Sequence, residues 1–170
     1  MNLKVDYRDL IKLRPITEED YGYVLKWSKN EKFCLANDWE INRNEEELYK
    51  WWLYCVNDLP ENLIRMGIEM ENKLIGYADL VRVLGNKAEL GISIGESTLW
   101  GQGIGFESSI LMMDYASSDL GITTFSAETH DTNIRAKKML DRMGFKEVSR
   151  IGVEEYLGIE TKLIQYILSS

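Results

Sequence analysis

A chain of 170 residues can bury one core without staples, and a 45% hydrophobic composition with five tryptophans and nine tyrosines argues for a globular fold over a disordered one. The net charge of −8 disfavours nucleic-acid binding, because phosphate contacts need a basic surface; it suits a cationic partner or plain solubility. Two cysteines, Cys34 and Cys55, and the single histidine, His130, argue against a disulfide framework or a metal site.

The opening MNLKVDYRDLIKLRP has scattered charges and no apolar segment of the signal-peptide kind. No run approaches membrane-spanning length, so the expected setting is cytoplasmic, with no membrane partner. Leu10 to Arg14 reads as a strand closed by Pro15. Thr17 then caps a helix whose first turn holds Glu18, Glu19 and Asp20, with Tyr21, Val24 and Leu25 as its apolar stripe. Asn44 and Glu47 resemble a capping box, and Leu48, Trp51, Trp52 and Cys55 follow at helical spacing until Asn57-Asp58-Leu59-Pro60.

The apolar period then drops from near four to two. Ile64, Met66, Ile68 and Met70 alternate with polar or small residues; Glu71-Asn72-Lys73 turns, and Leu74 to Leu84 reads as a longer, more buried strand. Gly85-Asn86 turns again into Ala88, Leu90, Ile92 and Ile94, completing an antiparallel meander. The helix that follows runs to about Leu120 and ends near Gly121. The next strand, Thr123 to Glu128, is predicted to lie parallel to the one before that helix, since a helical crossover joins them. A last helix carries Ala136, Met139, Leu140 and Met143 on one face and ends at Gly144 as a left-handed cap. Lys146 to Val153 and Thr161 to Leu168 read as a closing hairpin. The expected fold class is α/β (α+β mixed), a mostly antiparallel sheet with flanking helices and a central parallel pair, in one domain spanning residues 1–170.

Between the meander and the long helix stands Gly101-Gln102-Gly103-Ile104-Gly105. Glycine at that density marks a left-handed turn or a close approach to the backbone, and the unpaired amides of a helix N-terminus suit an anion. A Walker-type loop needs Lys-Ser/Thr after the run, where Phe106 and Glu107 stand. A dinucleotide loop should open a βαβ unit, and this one follows a meander.

The order strand, glycine turn, helix, strand and Asn-led helix ending in Gly-Phe resembles the GNAT N-acetyltransferases over most of the chain. Trp100-Gly101-Gln102-Gly103-Ile104-Gly105 matches the family's Gln/Arg-x-x-Gly-x-Gly/Ala except at its first position. Trp100 there is similar to the branch of ribosomal-protein alanine and polyamine acetyltransferases. Asn133-Ile134-Arg135-Ala136 with Gly144-Phe145 matches the second signature. The resemblance implies acetyl-CoA as cosubstrate, no metal, and an amine acceptor, either a protein N-terminus or a small amine such as a polyamine. It implies a pyrophosphate on the amides of Gln102 to Phe106 (Gln102, Gly103, Ile104, Gly105, Phe106), with Gly101 also among the cofactor-binding residues. It places pantetheine on the main chain of Ile92 and Ile94, with the Asn133 side-chain amide bonding the pantetheine or the phosphate region, and implies relatives that often pair as homodimers. Helix capping is the other reading of Asn133; Arg135, Lys137 and Lys138 are the nearest cations for phosphate or plain solvated charges.

An alkylammonium costs about 4–5 kcal/mol to deprotonate at neutral pH, so a base is needed near the acceptor. Glu89, in the strand before the loop, is the candidate, with a solvated strand carboxylate as its other reading. The position where many relatives place a tyrosine acid holds Leu140, which leaves Tyr156 in the last hairpin, or water, to protonate the departing thiolate. His130 reads as an incidental loop histidine. Trp39, Trp51 and Trp52, with Tyr49 and Tyr54, read as an aromatic-rich second helix that packs the core or lines an acceptor pocket. Glu45, Glu46, Glu47 and Asp58 either attract a cationic acceptor or only cap and solvate. The alternative function is a non-catalytic acyl-CoA-binding or sensing module.

Overall fold

The computed structural model describes residues 6–169; residues 1–5 of the opening stretch and Ser170, with those ends of the expected 1–170 domain, lie outside the described residues. In chain order the strands are β1 (Ile11–Pro15), β2 (Ile64–Met70), β3 (Lys73–Leu84), β4 (Lys87–Ile94), β5 (Thr124–His130), β6 (Lys146–Ser149), β7 (Val153–Tyr156) and β8 (Ile159–Ser169). The helices are α1 (Tyr21–Ser28), α2 (Glu31–Asn37), α3 (Glu45–Asn57), α4 (Ile104–Leu120) and α5 (Ile134–Met143). The sheet order is β1-β2-β3-β4-β5-β8-β6, with β7 also on β8. Every strand pair is antiparallel except β4 and β5, as a helical crossover between them requires.

Helices cover both faces, so β3 is buried on both. Leu74 and Tyr77 pack with Trp27, Phe33, Leu48 and Trp52 of α1–α3. Ile75, Ala78 and Leu80 pack with Met112, Met113 and Ala116 of α4 and Leu140 of α5. Buried Asp20 anchors the entry to α1. Its carboxylate accepts two bonds from the Arg14 guanidinium at 2.9 and 2.8 Å and one from the Thr17 N–H at 2.8 Å. These donors outweigh burial and hold its pKa below the ordinary carboxylate value.

Three elements differ from the sequence expectations. Residues Glu18–Asp20 form a 3₁₀ turn before α1 proper. Helix α2 was not predicted: it is seven residues long, Asn30 Oδ1 accepts from Phe33 N–H at its start, and Asp38 in a left-handed conformation (φ 55°) ends it. The closing hairpin is tripartite. The first predicted strand, Lys146 to Val153, stops at Ser149 as β6; Gly152, at φ 95°, stands before a separate β7, and the two pair with opposite ends of β8.

Candidate active site

The parallel pairing of β4 and β5 lasts three residues: Lys87 with Thr124, Ala88 with Phe125, Glu89 with Ser126. Past that point β4 stays with β3 as far as Ile94, and β5 stays with β8 as far as His130. The sheet therefore splits, and a cleft of about 600 Å³ occupies the fork. Leu90 to Ile94 line one wall and Ala127 to His130 the other. The N–H of Gly95 donates to Ile75 of β3 at 2.8 Å, so alternation along the strand directs the main-chain groups of Ile92 and Ile94 at the gap. One of these is engaged already, since the Trp100 indole N–H donates to Ile94 O at 2.9 Å.

The glycine loop closes one end of the fork. Gly101 (φ 79°) and Gly103 (φ 87°) are left-handed, and Gly103 is the residue before α4. A Cβ on Gly103 meets no atom within 4 Å, and the residue lines the cleft. The first bond within the helix runs from Glu107 N–H to Gly103 O, so the amides of Gly103, Ile104, Gly105 and Phe106 have no helical carbonyl. Gly101, Gly103, Gly105 and Phe106 line the cleft, whereas Gln102 and Ile104 do not. The Gln102 side chain is bonded to the Tyr7 hydroxyl and Thr98 O, and Ile104 is buried in the core, so these two offer only main-chain groups.

Across from the loop, α5 presents Arg135, Lys138 and Arg142 to the cleft. Arg135 lies 5.3 Å from the Trp100 ring centre and Arg142 4.0 Å from that of Phe106. None of the three has a carboxylate partner among the described residues, in a chain of net charge −8. Lys137, taken from the sequence as a phosphate cation, instead pairs with Asp131 at 3.1 Å. Arg142 was missed, although its i, i+3, i+7 spacing from Arg135 and Lys138 is the legible sign of a shared face. Asn133 caps α5: its Oδ1 accepts from Ala136 N–H at 3.2 Å, and its Nδ2 has no partner among the described residues.

At the wall of β5, Tyr156 of β7 and His130 both line the cleft. Burial pushes the Tyr156 phenol up. His130 ends β5 and stacks on Tyr156, so it is a strand residue and not a loop one. Leu140, buried and apolar, also lines the cleft.

Glu89 stands where the strands part. Its carboxylate pairs with exposed Arg82 at 3.3 Å, and burial pushes its pKa up, opposed by Arg82 and reinforced by Glu128. Glu89 is not one of the cleft-lining residues; Asp79 and Glu128 are the carboxylates that line it. Asp79 is locked in a two-point pair with Arg65 at 2.8 Å, and Glu128 accepts from the Gln165 amide at 2.8 Å. Glu128 was missed because a carboxylate at a strand's solvent-facing position looks ordinary in sequence.

The aromatic residues of α3 and its approach form a packing chain. Trp39, which lies in the loop before α3, contacts both Phe33 and Trp51, and Trp51 contacts Trp52. None of them lines the cleft. Glu45, Glu46 and Glu47 are paired with Lys29, Lys50 and Arg43 and are not part of the cleft either. Among the described residues no group of three His, Cys, Asp or Glu side chains could hold a metal, and no helix is long and apolar enough to cross a membrane.

The model of the acetyltransferase (GNAT) domain matches residues 11–146, from β1 to the start of β6. Mouse alpha/beta-tubulin-N-acetyltransferase 9 is 34% identical over 155 residues, covering 83% of this chain and 64% of that protein. An uncharacterized protein of Methanocaldococcus jannaschii is 26% identical over 157 residues, covering 91% of this chain and 32% of that protein. The chain thus spans less than two thirds of the length of these curated relatives. Spermidine N-acetyltransferase from Vibrio cholerae, in complex with CoA and spermine, superposes with a TM-score of 0.80 at 19% identity, over 95% of this chain and 96% of that one. RimL, a ribosomal alpha-N-protein acetyltransferase in complex with coenzyme A, gives 0.78 at 19% identity over 94% of each chain. At such identities the likeness is one of fold. The family match covers most of the chain and includes both the glycine loop and the forked parallel pair: the chain belongs to the GNAT acetyltransferase family.

Proposed function

We propose that this chain, acting as one cytoplasmic acetyltransferase domain, moves an acetyl group from acetyl-CoA to a primary amine by direct attack in a ternary complex. The observation that carries the proposal is the fork between β4 and β5, with α4 amides that lack a helical carbonyl and, at one end, three cations without a carboxylate partner among the described residues. Bound acetyl-CoA supplies the thioester. The amides of Gly103 to Phe106, with Arg135, Lys138 and Arg142, hold its pyrophosphate; charge-assisted bonds to a phosphate are the strong ones. The main chain of Ile92 and of Ile94, whose carbonyl is shared with Trp100, faces the pantetheine amides, and Asn133 Nδ2 is the free donor beside them.

At the reacting end, Glu89 or Glu128 takes the ammonium proton of the acceptor, directly or through water. The amine nitrogen bonds to the carbonyl carbon, the carbon–sulfur bond breaks, and the thiolate takes the proton of Tyr156 Oη; the second proton shed by the nitrogen as the amide forms passes through water to the tyrosinate, and the carboxylate returns its proton to solvent. Buried Leu140 favours a second reading, a module that binds acyl-CoA without turnover. Thiol release from acetyl-CoA across a panel of peptides with free N-termini and small amines tests the proposal. Release with one acetyl group on the acceptor amine is the expected result; binding without release for every acceptor leaves the second reading.

A further inference from the structure

We propose that His130 is a positioning residue whose imidazole, stacked on the Tyr156 ring, holds the Tyr156 hydroxyl in the cleft. The inference rests on the reading of Tyr156 as the acid for the departing thiolate and adds what keeps that acid in place.

Tyr156 is badly placed to hold itself. Its strand has four residues and pairs only with the first part of β8; the turn beside it, in which Leu157 (φ 51°) and Gly158 (φ 81°) are both left-handed, is tied to α2 by one long bond, from Leu157 N–H to Leu35 O at 3.4 Å. Two-strand ends of this kind are marginal by themselves. The side chain is nevertheless nine-tenths buried, and its hydroxyl has no partner among the described residues.

His130 contacts Tyr156 from β5, with β8 between the two strands. The ring centroids are 4.5 Å apart at an interplanar angle of 12°. Imidazole Nε2 lies 3.4 Å from Oε1 of Glu154, which shares the Tyr156 face of β7 two residues earlier. The imidazole is thus held at its edge by one β7 residue and presses its face on another.

The backbone beneath it is well fixed. His130 pairs in register with Leu163, Asp131 N–H donates to Lys162 O at 2.8 Å, and Asn133 N–H donates to His130 O at 2.9 Å. Besides Glu154, the charged groups near the pair are Glu128 on β5 and Arg135 on α5, whose charge acts on Tyr156. Leu140 lines the same cleft and brings no polar side-chain group to it.

Because His130 is the only histidine in the chain, its ring-proton resonances are resolved without assignment. Stacking shifts them by the Tyr156 ring current, and Tyr156→Leu returns them to ordinary positions; resonances that do not move overturn the proposal. For kinetics, spermidine and a short peptide with a free N-terminus serve as acceptors. Tyr156→Phe is expected to lose about 10²–10⁴-fold in kcat, the range of general acid–base catalysis. His130→Ala is expected to lose about 10–100-fold in kcat with KM for acetyl-CoA unchanged, since a misplaced group costs rate before binding. His130→Phe, which keeps a flat ring, restores most of it. The double variant is expected to be no slower than Tyr156→Phe alone, because His130 acts through Tyr156. A fast His130→Ala beside a slow Tyr156→Phe, or additive losses, overturns the positioning role alone. A fast Tyr156→Phe overturns the acid assignment and the inference together.

Discussion

Gly103→Ala and Gly121→Ala separate what glycine does for the backbone from what it does for a ligand. Both residues flank α4, at φ 87° and 68°, and neither would bring a new Cβ within 4 Å of another atom. The structural cost is therefore the left-handed conformation alone, about 1–2 kcal/mol for a residue with a Cβ. In a chain of this size that corresponds to a melting temperature lower by roughly 2–8 °C, the same for each variant. They differ in their surroundings, since Gly103 lines the cleft and Gly121 does not. An anion seated on the α4 amides meets the Gly103 methyl, and losing one charge-assisted bond costs about 1.5–3 kcal/mol, roughly a 10–150-fold rise in Kd. Calorimetric titration with CoA alongside thermal unfolding reads both quantities. Equal CoA affinities in the two variants would mean that the glycine at 103 serves only the turn.

Arg142→Gln and Lys138→Gln are expected to weaken CoA binding about tenfold or more each and to reduce its salt dependence, whereas Lys137→Gln, already paired with Asp131, leaves both unchanged. Asp20→Asn is expected to cost about 1.5–3 kcal/mol at neutral pH, because it removes the charge on which Arg14 donates. The lowered Asp20 pKa makes that contribution full above the ordinary Asp range and lost as pH falls through the lowered value, so melting temperatures of wild type and variant should converge in acid. Glu89→Gln is expected to leave CoA affinity intact and lower kcat at neutral pH by about 10²–10⁴-fold if Glu89 is the base. The wild-type rate should then fall on the acid side of a pKa above the ordinary Glu value, as burial dictates, and a variant with an unchanged pH profile excludes it.

Much of the fold was legible because local chemistry marks its boundaries. The switch of period after Pro60 announces the meander, Gly121 and Gly144 end their helices as left-handed caps, and the α4 crossover dictates the one parallel pair. Helix α2 was not legible, since seven residues carry too little periodicity and its end depends on Asp38 adopting a glycine-like conformation. The split of the last hairpin, with Gly152 standing before its second strand, shows only when β8 is seen to serve two partners.

The loop end of the site was readable as a contiguous motif. The reacting end was not: His130 and Tyr156 are 26 residues apart and meet only because β8 lies between their strands. Likewise, the net charge of −8 concealed a cationic face on α5, and the acids at the start of α3 proved to be paired with neighbouring cations.

A crystal structure of the complex with CoA tests most directly the claim that the forked sheet is the cofactor site. The account predicts pyrophosphate on the amides of Gly103 to Phe106 and pantetheine between Ile92–Ile94 and the end of β5, with the thiol toward Tyr156. CoA bound outside the fork, or β4 and β5 paired along their full length with the cleft closed, would contradict it.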